Sequence, residues 1–199
     1  MSKDLNVKGT ALIVVDIQND FCHKDGTFAK QGLDVTPLQK IVPEIISFID
    51  KVRKRGIPII FSKQIEANDI SPENLNRQFK SGKLKTVCAP NSWGADFYLV
   101  QPKTKDIVLE KNTYDLFSNP QLQEILNKNK VKMLIVVGVN TDICIDTTVR
   151  RAFTEGYFII VPYDLVATVN VKVHKHFLKI FNRFFGEVMS SQDLIKRFV

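Results

Sequence analysis

The sequence has 199 residues, of which 44% are apolar and 25% are charged, as in an ordinary globular protein. This length favours one domain spanning residues 1–199, with a core that needs no disulfide or metal. The absence of any run of about 18 apolar residues predicts no transmembrane helix and no membrane partner. The three cysteines have no paired spacing and the amino terminus has no signal-peptide pattern, so we expect a cytoplasmic protein.

The charge balance is basic, because 28 Lys and Arg residues outnumber 21 Asp and Glu residues and give a net charge of +7. Basic residues are densest at residues 51–55 and 77–85, but no zinc-finger, helix-turn-helix or RNP-like pattern accompanies them. The first run falls at the end of a predicted helix, where cations meet the negative end of the helix dipole. We therefore expect a solvated basic surface and no nucleic-acid partner.

Apolar runs and helical patterns alternate along the chain. Short apolar runs predict strands at residues 10–15, 57–61, 106–110, 133–137, 157–161 and 187–189. Helical periodicity predicts helices at residues 36–56, 120–129, 141–155 and 171–182. Alternation of this kind is typical of an α/β protein with a mostly parallel sheet, here of roughly six strands, and helices on both faces.

Caps and breaks mark some of these boundaries. Thr36 is expected to cap the first helix with Pro37 at its first position, and Thr141 or Asp142 to cap the third. Residues 62–102 show little periodicity, and an unpatterned stretch of this length either is functional or contains short elements.

Reactive side chains follow three of the predicted strands. Asp16 ends the first strand, Lys111 ends the third, and Cys144 lies in the first turn of the helix after the fourth. In an open parallel sheet, ligands bind outside the carboxyl ends of the strands, so these three side chains are expected to meet at one edge.

A carboxylate, an ammonium and a thiol together suit nucleophilic catalysis. A helix amino terminus and a nearby cation both lower the pKa of a thiol, and a carboxylate can accept its proton. This predicts Cys144 as nucleophile, Asp16 as base and Lys111 as electrostatic partner, with the backbone N–H groups of Asn140 and Cys144 as the oxyanion hole. Taken singly, each of the three side chains has an ordinary structural explanation as a buried thiol, a turn residue or a surface lysine.

Four further segments are distinctive: ALIVVDIQNDF at 11–21, DIVLEK at 106–111 with Tyr114 and Phe117, VGVNTDIC at 137–144 with Thr148, Arg150 and Ala152, and Gly156-Tyr157 leading to Asp164. Through these segments the sequence resembles the isochorismatase-like cysteine hydrolases over nearly its whole length. The resemblance implies a three-layer α-β-α, Rossmann-like fold and an Asp-Lys-Cys triad at Asp16, Lys111 and Cys144. It further implies a cis peptide between Val139 and Asn140, and a homodimer or homotetramer.

Within that family the metal site of the nicotinamidase branch is not matched. That branch carries an Asp-x-His motif after the second strand, where this chain has Gln64 and Glu66. We therefore expect neither a metal nor another cofactor. The segment around Trp93 resembles one found in ureidoacrylate and N-carbamoylsarcosine amidohydrolases, and the candidate walls of a pocket for a small-molecule substrate are Phe21, Trp93, Tyr114 and Phe117.

Together these features predict a metal-independent amidohydrolase that cleaves a small amide, carbamoyl or ureido C–N bond through a thioester. One alternative is an isochorismatase-type vinyl-ether hydrolase, although retention of Cys144 favours amide chemistry. A second is a nicotinamidase that recruits a metal through Glu66 and Asp69, and a third is a non-catalytic scaffold, against which the intact triad argues.

Overall fold

A computed structural model describes residues 5–67 and 69–198 of the chain. The strands of this described part are β1 (Thr10–Val15), β2 (Ile59–Gln64), β3 (Ile107–Lys111), β4 (Met133–Val139), β5 (Phe158–Pro162), β6 (Val166–Ala167) and β7 (Glu187–Met189). Its α-helices are α1 (Asn19–Cys22), α2 (Thr27–Lys30), α3 (Thr36–Arg53), α4 (Glu73–Lys80), α5 (Pro120–Lys128), α6 (Cys144–Thr154), α7 (Val171–Phe184) and α8 (Ser191–Arg197). The predicted alternation of strands and helices is confirmed.

The strands form one sheet in the order β3-β2-β1-β4-β5-β7, and the short strand β6 pairs with the end of β4. All of these pairings are parallel. The chain runs outward from β1 to β2 and β3, then returns to place β4 on the other side of β1. This reversal between β1 and β4 is the position at which ligands bind in open parallel sheets.

Helices cover both faces of the sheet because the central strands are apolar on both. Leu12 and Val14 of β1 pack in one core cluster with residues of α3 and α8, while Ala11, Ile13 and Val15 pack in the other with residues of α5, α6 and α7. Alternating side chains of a strand point to opposite faces, so one buried strand supplies both cores. The three-layer α-β-α arrangement is therefore confirmed.

Several predicted boundaries differ from the structure. Val35, not Thr36, precedes α3, and the Thr36 backbone N–H is bound by the Asp34 carboxylate. Neither Thr141 nor Asp142 caps α6, because the helix begins only at Cys144 and the Thr141 hydroxyl instead pairs with His174. The loop between β4 and α6 is thus longer than the sequence suggested.

The unpatterned stretch contains short elements. Residues 65–102 follow β2 and are called the wall segment here; they include α4 and a one-turn 3₁₀ helix at Trp93–Ala95. The sheet also has one strand more than predicted, since β6 has only two residues and is too short to leave a pattern. In the described part of the chain, no helix combines the length and apolarity needed to cross a membrane.

Candidate active site

Three reactive side chains meet at the carboxyl end of the sheet. The Lys111 Nζ lies 2.8 Å from the Asp16 Oδ2 and 3.5 Å from the Cys144 Sγ, and all three side chains are buried. They reach this point from β1, β3 and the start of α6. The structure therefore brings together the three residues that strand-end reasoning selected, and with Asn140 they are called the cavity floor below.

Asp16 is held in one orientation by its neighbour on β2. Its backbone adopts a φ of 50°, in the left-handed region that non-glycine residues seldom occupy. The Ser62 hydroxyl donates to the Asp16 Oδ1 at 2.6 Å and accepts from the Asp16 backbone N–H at 3.2 Å. One hydroxyl thus fixes both the backbone turn and the carboxylate, which leaves the Asp16 Oδ2 facing Lys111.

Lys111 is fully enclosed and has polar partners on several sides. Besides Asp16 and Cys144, its ammonium donates to the Gln64 Oε1 at 2.5 Å and to the Thr113 carbonyl at 3.1 Å. Burial by itself lowers the pKa of the ammonium, but the interaction with the Asp16 carboxylate and, to a smaller extent, with Cys144 outweighs it, so the net effect raises the pKa. Lys111 therefore keeps its charge inside the protein.

Cys144 is the first residue of α6, where backbone N–H groups have no acceptor within the helix. Burial nevertheless raises the pKa of its thiol, and Lys111 opposes this effect only in part. The sequence had suggested a lowered pKa from the helix terminus and the cation, and the enclosure of the site reverses that balance. The raised pKa favours the protonated form of the thiol.

The loop from β4 to α6 carries Asn140. The peptide bond between Val139 and Asn140 is cis, as the resemblance implied. Gly138 has a φ of 119°, and a Cβ atom there would lie 2.1 Å from the Val15 carbonyl oxygen of β1. Only glycine fits this close approach of the two central strands. The Asn140 carbonyl then accepts from the N–H groups of Ile143 and Ile145, both at 3.1 Å, which closes the loop against the helix start.

A cavity of about 80 Å³ opens above Cys144. Its lining residues are mainly apolar and come from the cavity floor, from the loops near β1 and β3, and from the wall segment. They are Phe21, Phe28, Gln64, Glu66, Phe79, Leu84, Lys85, Val87, Tyr114, Asn140, Ile143 and Cys144. Phe21 and Tyr114 are therefore placed at the cavity, as expected.

The other two aromatic side chains expected at the pocket lie elsewhere. Trp93 is 49% exposed in its 3₁₀ helix, and its ring packs edge-on against His23 with centroids 4.9 Å apart. Phe117 packs near Tyr157, 6.0 Å between centroids, on the face covered by α5 and α6. Neither side chain is among the lining residues of the cavity beside Cys144, and each residue lies in a one-turn 3₁₀ helix.

Two polar residues of the site were noted in the sequence only as replacements for a metal motif. Gln64 stands opposite Lys111 in the parallel register of β2 and β3, so its amide faces the ammonium. Glu66 is 3% exposed and lines the cavity. Gln64 ends β2 and Glu66 follows it by two residues, so the signal that could have found them is their position at the carboxyl end of that strand.

The wall segment is held by the three residues that follow β1 and its turn. Gln18 donates to the carbonyls of Gln64 and Ala95, both at 2.9 Å, and accepts from the Gln64 N–H. Asn19 donates to the Trp93 carbonyl. Asp20 accepts from the Cys88 N–H at 2.7 Å and from Thr27. The Gln-Asn-Asp sequence after Asp16 therefore anchors the wall segment over the cavity floor.

No group of three or more His, Cys, Asp or Glu side chains within residues 5–67 and 69–198 is arranged to hold a metal ion. At the end of β2, Gln64 is occupied by Lys111 and by Glu66, whose Oε1 accepts from the Gln64 Nε2 at 3.3 Å. These side chains therefore form a hydrogen-bonded chain with the triad.

The chain is similar in sequence and in fold to several known proteins. The chain is 31% identical to the ureidoacrylate amidohydrolase RutB of Acinetobacter baylyi, over 95% of this chain and 83% of that protein. It is 32% identical to nicotinamidase 3 of Arabidopsis thaliana, over 87% and 80%. A cysteine hydrolase from Pseudomonas syringae superimposes with a TM-score of 0.84 at 23% identity, covering 97% of this chain and 93% of that one. The isochorismatase domain itself matches residues 10–193, so the chain belongs to the isochorismatase family.

Proposed function

We propose that this protein is a cysteine-dependent amidohydrolase that cleaves a small amide, carbamoyl or ureido C–N bond. The observation that carries the proposal is the buried contact of the Lys111 ammonium with both the Asp16 carboxylate and the Cys144 sulfur. Relatives named ureidoacrylate amidohydrolase and nicotinamidase act on C–N bonds, which supports assigning this chain to the same class of hydrolases.

The first half of the reaction acylates the thiol. Asp16 takes the proton of Cys144, and Lys111 stabilises the thiolate across 3.5 Å. The sulfur attacks the substrate carbonyl carbon, and the backbone N–H groups of Asn140 and Cys144 bind the resulting oxyanion. The C–N bond then breaks as Asp16 returns the proton to the nitrogen, which leaves as ammonia or an amine.

The second half releases the acid. Asp16, again a carboxylate, takes a proton from a water molecule that attacks the thioester carbon. The C–S bond breaks, and the proton held by Asp16 returns to the Cys144 sulfur. This cycle needs a base that is fixed in place, and the Ser62 hydroxyl holds the Asp16 carboxylate at 2.6 Å.

The cavity limits the size of the substrate. Its volume of about 80 Å³ is far below the roughly 300–1,000 Å³ typical of sites for drug-sized ligands. Phe21, Phe28 and Ile143 give this cavity apolar walls. A planar amide or ureido group with few additional atoms fits such a space.

The test is ammonia release from a panel of small amides, ureido acids, carbamoyl amino acids and nicotinamide. We expect wild-type protein to release ammonia from at least one compound, and Cys144→Ala to lower kcat/KM by at least about 10³-fold because the nucleophile is gone. The Cys22→Ala variant is the matched control. Cys22 is buried in the core beneath α3, and burial raises the pKa of its thiol to about 12.

The control variant should keep its activity if it folds, as judged by its thermal unfolding. Ammonia release that survives in Cys144→Ala would contradict thiol chemistry. A folded wild type that hydrolyses no member of the panel would contradict the proposed amide substrate and favour vinyl-ether hydrolysis or a scaffold role.

A further inference from the structure

Glu66 is a buried carboxyl group that the proposed reaction does not use. It follows β2, is 3% exposed, and lines the same cavity as Cys144. Its Oε2 accepts from the Val87 backbone N–H at 3.0 Å, and its Oε1 accepts from the Gln64 Nε2 at 3.3 Å. A buried carboxyl group at a cavity wall is costly unless it is paired, so its position calls for a physical explanation.

The hydrogen bonds of Gln64 fix how Glu66 faces the triad. The Gln64 Oε1 accepts from Lys111 at 2.5 Å, so its amide nitrogen is the end left for Glu66. An ionised carboxylate has about four acceptor sites, and the hydrogen bonds from Val87 and Gln64 occupy only two of them. Glu66 therefore keeps acceptor capacity on the cavity side.

The rest of the cavity lining is mainly apolar and includes Phe21, Phe28, Val87 and Ile143. Besides Glu66, its polar members are Gln64, Lys85, Tyr114 and Asn140, of which Lys85 is exposed. A substrate group placed near Glu66 thus meets a carboxyl group among mainly apolar side chains. Such an arrangement favours a neutral N–H donor and disfavours a carboxylate.

We propose that Glu66 is the specificity-determining residue of this cavity and selects substrates that direct an uncharged N–H donor, such as an amide or ureido NH₂, toward the end of β2. As a statement about substrates, this inference rests on the proposed function. The inference adds that the cavity rejects compounds that would place a carboxylate next to Glu66, and that this selectivity depends on the ionisation of Glu66.

The pKa of Glu66 lies in a pH range that rate measurements can cover. Burial raises its pKa from 4.5 to about 7, and the hydrogen bonds from Val87 and Gln64 oppose the rise. The titratable groups that face it from neighbouring elements are Asp16 after β1, Lys111 and Tyr114 at and after β3, Lys85 and Cys88 in the wall segment, and Cys144 on α6. Selectivity for N–H donors should therefore increase as the pH rises through about 7.

Alkylation of Cys144 tests the selectivity assigned to Glu66 without knowledge of the substrate. Iodoacetamide and iodoacetate have nearly the same size and transfer their carbon to the thiolate with loss of iodide, but one carries an NH₂ group and the other a carboxylate. Their rates at Cys144 are measured on the full chain between about pH 5.5 and about pH 8.5, with mass spectrometry of the Cys144 peptide. The ionisation of Cys144 affects both reagents equally, so it cancels in the ratio of the two rates.

We expect the iodoacetamide-to-iodoacetate ratio of wild-type protein to rise about tenfold across this range, and to stay flat in Glu66→Gln. Glutamine keeps an oxygen for Val87 and has nearly the same shape, and thermal unfolding shows whether the variant folds. A flat ratio in wild type would overturn the inference even if the variant failed to fold. A rise retained in folded Glu66→Gln would overturn it as well.

His174→Gln is the matched control, because His174 is a second group near the loop that carries Asn140. It pairs with the Thr141 hydroxyl at 2.9 Å, and burial lowers the pKa of its imidazole. This variant should keep the rise in the ratio; loss of the rise here would assign the effect to His174 and overturn the inference. If the iodoacetamide-to-iodoacetate ratio rises with pH as expected but the protein releases no ammonia from any amide, the role of Glu66 is supported and the proposed hydrolysis is contradicted.

Discussion

The cavity floor and the wall segment are built in different ways. Asp16 and Lys111 of the floor lie at the ends of paired strands, and Cys144 begins a helix packed on the sheet. The described residues of the wall segment, 65–67 and 69–102, have one two-turn helix and one 3₁₀ turn. They are attached to the residues that follow β1 by both side-chain and backbone hydrogen bonds. The rigid sheet therefore supports Asp16, Lys111 and Cys144, while the wall segment shapes the cavity above them.

This contrast indicates where chemistry and selectivity reside. A substitution in the cavity floor should lower kcat for all substrates alike, and so leave the order of substrate preference unchanged. A change in the wall segment should alter substrate affinity and local stability while the triad stays intact. The three predictions below test that separation, beginning with the largest expected effect.

Asp16→Asn should lower kcat/KM by about 10³-fold or more, because the amide cannot accept the thiol proton. The negative charge of Asp16 raises the pKa of Cys144, so its removal should also lower that pKa and speed alkylation of the thiol at neutral pH. The measurements are steady-state ammonia release and the rate of iodoacetamide labelling. Slower labelling together with lost turnover would indicate collapse of the floor and contradict the assignment of Asp16 as base.

Asp20→Asn should loosen the wall segment. Its carboxylate accepts from the Cys88 N–H at 2.7 Å and from the Thr27 hydroxyl at 2.7 Å, and an amide has only one oxygen for these donors. Urea unfolding should show a loss of about 2 kcal/mol, and KM should increase more than kcat falls. Asp25→Asn, an exposed carboxylate on the same loop, is the control and should change neither value. A decrease in kcat with an unchanged KM would contradict the assignment of substrate affinity to the wall segment and of turnover to the cavity floor.

Trp93→Ala should have the smallest effect. The side chain is 49% exposed and does not line the cavity, and its backbone carbonyl remains available to Asn19. We expect kcat/KM to change by less than about twofold. Phe21→Leu, at a buried aromatic residue that does line the cavity, should reduce kcat/KM more. A larger loss of kcat/KM in Trp93→Ala than in Phe21→Leu would indicate that Trp93 contributes to the substrate site after all.

The sequence was sufficient for the sheet and for the residues that end its strands. Apolar runs such as the one at Thr10–Val15 are buried on both faces, and that pattern leaves few alternatives to a covered parallel strand. Once β1, β3 and β4 are placed in a parallel sheet, Asp16, Lys111 and the loop before Cys144 must share one edge.

The pocket walls were predictable only in part. Phe21 and Tyr114 line the cavity, but the directions of Trp93 and Phe117 depend on 3₁₀ turns that leave no periodicity in the sequence. Phe28, Phe79, Leu84 and Val87 reach the cavity from separate short elements. Their convergence follows from the hydrogen bonds of Gln18, Asn19 and Asp20, which join residues far apart in the chain.

The sequence by itself determined the order of strands and helices and the three reactive groups, because periodicity and strand ends are local properties. The tertiary structure alone decided the surroundings of those groups and the position of Glu66 in the cavity wall. Burial raises the pKa of the Cys144 thiol despite Lys111, and it brings the pKa of Glu66 to about 7. Desolvation depends on every element packed around a side chain, and no local pattern of residues records that enclosure.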